Sequence, residues 1–273
     1  MNSSLFSIVS IVLYLTTTAL FAYRLSSAKA GGSTPPFLSK SVLVGIGLLA
    51  IMLHGIALSH DLFAAPGLNF GLTNAASLVT WLIATLIVLA SISMPLETLS
   101  ILVLPSAAFS LLIELIFPST HMVSAEISNE LKLHIIVAIM AYSMLSIAAI
   151  QALVVAFQES HLRNKHPGGI MRVLPPLQTM ESLLFQMIGI GFVLQTAALA
   201  TGAFYIEDMF AKHMVHKTVL SIIAWLVFGI LLWGRYYHGW RGRTAIRWTL
   251  TGFVIMFLAY FGSKFVIEYL IQP

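Results

Sequence analysis

The chain reads as a succession of long apolar runs separated by short polar breaks. Apolar and polar residues do not alternate, as they would along half-buried strands. They run on for about 20 residues at a stretch, the length a helix needs to cross the hydrocarbon core of a bilayer. Eight such segments stand out, at 5–23, 41–58, 72–92, 99–117, 133–157, 183–205, 215–233 and 246–270. Hydrocarbon offers the backbone no hydrogen-bond partner, so continuous runs of this kind predict helices rather than open sheets. Gly31-Gly32-Ser33-Thr34-Pro35-Pro36 breaks the chain after the first run. Pro167-Gly168-Gly169 and Pro175-Pro176 make a true loop between the fifth and sixth. Pro105 sits inside the fourth run. The first run has no basic stretch before it and ends in Tyr23-Arg24 rather than small residues, so it reads as a retained helix, not a cleaved signal. The connections leave no room for a soluble domain, and no internal repeat is evident. The expected fold is all-α: a polytopic bundle of eight transmembrane helices forming a single transmembrane domain over residues 1–273.

Composition agrees with the pattern. Of 273 residues, 59% are hydrophobic and 9% charged, where soluble proteins carry about 25% charged residues. There is no cysteine, which excludes disulfides, thiolate metal sites and covalent haem attachment to this chain. The net charge of +4 is explained by position rather than by nucleic acid, and no nucleic-acid partner is expected. Ten of the fourteen Lys and Arg fall in one set of connections: Arg24, Lys29, Lys40, Arg163, Lys165, Arg172, Arg235, Arg241, Arg243 and Arg247. The other side holds Lys132, Lys212, Lys217 and Lys264. The positive-inside rule puts the first set in the cytoplasm and both termini on the outer, periplasmic side of a bacterial inner membrane. The stretch Gly239-Trp240-Arg241-Gly242-Arg243 reads foremost as an interfacial anchor in contact with anionic lipid.

The histidines carry the candidate chemistry. Of nine, His161, His166 and His238 lie with the basic connections, and His54, His60, His121, His134, His213 and His216 lie in the outer half. His54 falls inside the second run, His134 opens the fifth, and His213 and His216 stand three apart at the start of the seventh, roughly on one helix face. Histidines from different helices meeting at one depth are what a b-type haem needs: two neutral imidazoles bind iron axially and apolar side chains hold the macrocycle. Lys132, Lys217 and Lys264 are placed to pair with haem propionates. A blander reading stands beside each: a rim histidine is commonly an interfacial polar residue, and His54, whose place inside a span favours a functional role, has a helix–helix hydrogen bond as its alternative. For zinc there is no HExxH pattern, and Glu207-Asp208 with His213 and His216 is a loose grouping only.

The second half of the chain resembles a known family. His216-Lys217-Thr218 leads into Ile223-Ala224-Trp225-Leu226, followed by Gly239-Trp240-Arg241-Gly242-Arg243, Gly252-Phe253 and Ala259-Tyr260-Phe261-Gly262. Upstream stand Leu133-His134-Ile135 with Tyr142, Gly191-Phe192 and Thr201-Gly202. These motifs, over residues 131–270, resemble the cytochrome c assembly protein family of haem-handling membrane proteins (CcsA, ResC and CcmC type), and most closely its short YpjD- or HemX-like branch. The resemblance implies haem binding or transport in cytochrome c assembly or a related haem process. It matches His134 to the family's outer haem-ligand histidine and His54 to its buried histidine in an early span. Three features depart from the family. The tryptophan-rich loop that presents haem corresponds here to residues 206–217, which contain no tryptophan. Trp233 replaces a histidine at the inner end of the following span, and no histidine follows His238. The resemblance then leaves His216 as the local substitute opposite His134, and implies an accessory or regulatory part rather than delivery of haem by the usual loop.

Three readings follow. The first is a haem b-binding accessory protein using His134 and His216 as iron ligands, with His54, His213, Lys217 and Lys264 as further cofactor-binding candidates. The second is a small transporter or transport accessory, motivated by His54, Glu114 and Lys264 within the spans. The third is a scaffold that docks another membrane protein. No nucleophile–base pair or phosphate-binding domain appears, so an enzyme is not expected.

Overall fold

A computed structural model describes residues 3–29, 38–63, 67–94, 96–118, 122–124, 128–163, 174–205 and 215–266. The helices are α1 (Ser3–Lys29), α2 (Lys40–Leu62), α3 (Leu72–Ser93), α4 (Glu97–Ile116), α5 (Asn129–Arg163), α6 (Leu177–Tyr205), α7 (Val215–His238) and α8 (Arg243–Phe257). A π-helical turn (Leu258–Gly262) and a last α-turn (Ser263–Phe265) prolong α8. Among the described residues, eight helices are long and apolar enough to cross a membrane. The protein is a multi-pass membrane protein. Its exposed leucines and phenylalanines, such as Leu5, Leu153 and Phe109, are the lipid-facing side of these helices.

Several helices overrun the apolar segments. α5 continues through His161-Leu162-Arg163, and α7 through Arg235-Tyr236-Tyr237-His238. Hydropathy marks where the bilayer ends, whereas the helix ends only where the backbone loses its i→i−4 partners. α4 runs unbroken through Pro105. Two three-residue strands were not expected. β1 (Gly67–Asn69), between α2 and α3, pairs antiparallel with β2 (Met122–Ser124), beyond α4, with Leu68 opposite Val123.

The chain forms two compact units, residues 1–126 with 166–175, and residues 127–165 with 176–273. In the first, α1 packs on α2, α2 on α3, α3 on α4, and α4 back on α1. In the second, α5 packs on α6, α6 on α7, α7 on α8, and α8 back on α5. Each is thus a closed ring of four helices. Small and hydroxylated residues line the first ring, as expected where lipid supplies no hydrophobic drive between helices and close packing must do so. The Ser10 hydroxyl donates to the Ala50 carbonyl at 2.8 Å, the Trp81 indole N–H donates to the Ile51 carbonyl at 2.9 Å, and Ser91 and Ser100 bond at 3.2 Å. At one end Arg24 of α1 meets Glu97 of α4 at 3.3 Å.

The second ring closes on Leu145, Ala148, Leu184, Ile188, Phe228 and Met256. Glycines set its close approaches. A Cβ on Gly191 of α6 would fall 2.6 Å from the Leu145 side chain of α5, and one on Gly252 of α8 would fall 2.9 Å from the Phe228 ring of α7. The link from α7 to α8 turns on Gly239 and Gly242, with φ of 65° and 56°, a region that strongly favours glycine. Glu181 of α6 is buried beneath this link. Its carboxylate accepts the Gly242 N–H at 2.8 Å and lies 3.3 Å from the Arg241 guanidinium. Gly239-Trp240-Arg241-Gly242-Arg243 therefore has a defined structural job: two left-handed glycines and one arginine folded over a buried carboxylate.

Candidate functional site

His134 lies in the second turn of α5 and is half-buried. Its Nδ1 is 3.1 Å from the Thr201 Oγ1 of α6. The Thr201 hydroxyl itself donates to the Ala197 and Ala198 carbonyls, at 2.9 and 3.0 Å. Its proton being so used, the Thr201 oxygen is the acceptor and His134 Nδ1–H the donor. The Ala198 carbonyl, which the Thr201 hydroxyl also meets, is a second acceptor for the ring on the α6 side; with Nδ1–H donating there, the neutral ring keeps its lone pair on Nε2. A histidine oriented by one N–H, with the lone pair on the other nitrogen, has the arrangement that metal-ligating histidines share.

His216 occupies the first turn of α7 and is exposed. α5 and α7 each pack on α6 and α8, so they stand across the ring from one another. Both start from the same end of the unit, which places His134 and His216 at that end, on opposite corners. Lys217 follows His216 and is half-buried. Lys264, in the turn that ends α8, is buried with its ammonium 5.6 Å from the centre of the Tyr260 ring. Tyr260 and Phe261, both in the π-helical turn, pack against Tyr142 of α5 with ring centres 6.2 and 5.4 Å apart. The Tyr142 hydroxyl is buried without a hydrogen-bond partner among the described residues. His213, along with the stretch 206–214, lies outside the described residues.

His54 belongs to the first unit and is fully enclosed there. Its Nδ1 shares a 3.2 Å hydrogen bond with the Tyr14 hydroxyl of α1, and its Nε2 a 2.9 Å bond with the Ser77 hydroxyl of α3. Both nitrogens are therefore engaged, and iron ligation by His54 requires one of these bonds to break. On the same unit Glu114 of α4 is buried, and neither of its oxygens has a described hydrogen-bond partner. Among the described residues, no group of three or more His, Asp or Glu converges as a metal site. Bis-histidine haem ligation does not call for such a cluster.

Three further residues take part in these arrangements: Tyr14, Ser77 and Glu181. Tyr14 and Ser77 belong to ordinary helical runs, and only packing brings them to His54. Glu181 had a readable signal, since it is an acidic residue at the edge of an apolar run on the arginine-rich side.

The cytochrome C assembly protein family pattern matches residues 42–271. The inner membrane protein YpjD of Escherichia coli K12 is 32% identical over 263 residues, covering 96% of this chain and 97% of that protein. An uncharacterized 28.8 kDa protein of Azospirillum brasilense is 36% identical over 51% of this chain and 52% of its own length. The cytochrome c biogenesis protein CcsA of Gloeobacter violaceus is 30% identical over 33% of this chain and 28% of its own length. No solved structure matches the chain.

Proposed function

Because the chain belongs to the cytochrome c assembly protein family, we propose that it is a haem-handling protein of the bacterial inner membrane, acting in cytochrome c assembly or a related haem process as an accessory or regulatory component. The observation that carries this reading is His134, its Nδ1–H spent on the α6 side and its lone pair kept on Nε2. A neutral imidazole fixed in this tautomer is the donor that a haem iron takes. In this reading His134 and His216 would hold the iron. Lys217 and Lys264 supply positive charge on the same unit for the propionates. When bound, haem b supplies a redox-active iron; the protein's part is to orient His134 and to surround the macrocycle with apolar side chains. His54 stands outside this ligand set, since its two nitrogens are already used.

The accessory part rests on residues 206–217, where the family's haem-presenting loop has lost its tryptophans. The arginine-rich connections face the cytoplasm in this reading and both termini face outward.

The test is a haem titration of the purified, detergent-solubilised protein. The reading expects uptake of haem with a Soret band, weakened in both His134→Ala and His216→Ala. A wild-type protein that takes up no haem, or one whose spectrum ignores both substitutions, contradicts it.

A further inference from the structure

At the arginine-rich end of the second unit a cavity of about 230 Å³ opens where the last turns of α5 meet the first turns of α8. Its walls include Ser160 and Arg163 from α5 and Arg243 and Arg247 from α8, over a floor of Ala156 and Ile246. Glu159 also lines it and meets the Arg243 Nε at 3.4 Å. Among the described residues Arg163 and Arg247 make no ion pair, and the cavity's lining sets three guanidinium groups against the single Glu159 carboxylate. Neighbouring Arg241 is matched by Glu181.

The spacing makes this a built arrangement. Glu159 and Arg163 stand four apart on α5, and Arg243 and Arg247 four apart on α8, so each pair lies on one face of its helix. Beyond the cavity's lining, the same two helices carry exposed apolar side chains toward the bilayer. Leu153, two turns deeper than Ser160 on α5, and Val254, two turns deeper than Arg247 on α8, are 54% and 53% exposed. A ligand seated among the arginines would therefore have apolar side chains beside it on the membrane side and polar ones on the water side.

We propose that this cavity binds the headgroup of an anionic phospholipid, with the phosphate held by Arg163 and Arg247, assisted by the Ser160 hydroxyl, and an acyl chain lying along Leu153 and Val254. Arginine suits the task because its planar fork presents parallel N–H donors to phosphate oxygens. Basic pockets between transmembrane helices at the membrane rim take such headgroups. A free phosphate ion satisfies the arginines equally but leaves the apolar extension without a partner. The site is independent of the haem reading: it uses none of the histidines and lies at the opposite end of the unit from His134.

The experiment places the full-length protein, stripped of lipid, in neutral detergent and measures binding of phosphatidylglycerol, phosphatidylcholine and inorganic phosphate by native mass spectrometry. Phosphatidylglycerol is expected to bind in preference to phosphatidylcholine, and inorganic phosphate to displace little of it. Each basic residue near an anionic surface contributes roughly fivefold, so the Arg163→Gln/Arg247→Gln double variant should lose about 30-fold in phosphatidylglycerol affinity. A Lys29→Gln/Lys40→Gln variant, with the same charge removed from the first unit, should keep the affinity. Equal loss in both variants would mean diffuse surface charge and overturn the site. Equal binding of the two lipids overturns it too, as does displacement by phosphate at the lipid's own concentration. If the arginine variant fails to fold, Val254→Glu in the acyl groove serves instead. It should weaken phosphatidylglycerol binding and leave phosphate binding unchanged, and unweakened lipid binding there counts against the proposal.

Discussion

At the scale of single residues, the account turns on which atoms donate. His134 can present Nε2 in the proposed site because Thr201 is not free to donate to its ring: the threonine proton is committed to the α6 backbone. Thr201→Val keeps the volume and removes the hydroxyl that accepts the His134 Nδ1–H, leaving only the Ala198 carbonyl on that side. Loss of such an orienting partner costs about 10–100-fold in metal affinity, so haem affinity should fall by at least the lower figure while the helical circular dichroism stays unchanged. Thr201→Ser retains an acceptor and should restore most of it. His54 obeys the opposite logic, since its enclosure is complete and its partners are both present. Tyr14→Phe leaves a buried ring nitrogen unpaired, a loss of about 1–3 kcal/mol, to be seen as a lower melting temperature in a detergent-stability assay. Glu181→Gln is expected to lower stability by a similar amount, because hydrogen bonds to a charged group are worth about 1.5–3 kcal/mol and the carboxylate organises the turn into α8.

At the scale of elements, two glycines two residues apart on α6 separate packing from propensity. Gly191→Ala drives a methyl into Leu145 of α5, and overpacking of this kind costs about 1–3 kcal/mol. Gly189→Ala meets nothing within 4 Å and should gain roughly 0.5–1 kcal/mol from helix propensity. Opposite shifts in melting temperature for the two variants would verify that the α5–α6 approach is as close as described. The helices themselves were legible, because an apolar run of bilayer length has one physical outcome. Their ends were less so, since polar residues such as His161 and Arg163 extend a helix past the hydrocarbon without leaving a hydropathy signal. The β1–β2 pair was not legible at all. Gly67–Asn69 and Met122–Ser124 are three residues each, too short for any periodicity to register. His134 could be singled out by its position at the mouth of a span. Its partner could not, because Thr201 lies 67 residues away and only the packing of α5 on α6 joins them. Likewise, the glycines at 239 and 242 were visible as a motif, but the carboxylate under them, contributed by α6, was not.

At the scale of the molecule, the two four-helix units and the charge asymmetry give the reading its frame. The absence of cysteine makes orientation directly measurable. Thr244→Cys, beside the arginines, should react with a membrane-impermeant thiol reagent only after the cytoplasm is opened. Ser128→Cys, at the other end of the second unit, should react in intact spheroplasts. The reverse pattern would invert the topology and put His134 and His216 at the cytoplasmic face. The central claim is that His134 binds haem iron, and the most direct measurement is the reduced-minus-oxidised absorption spectrum of the haem-loaded protein, wild type against His134→Ala. The account predicts a sharp α-band in the wild type, the mark of low-spin iron with two axial nitrogens, lost or displaced in His134→Ala. The same α-band in both proteins would contradict it, because iron would then be held without the histidine whose geometry carries the proposal.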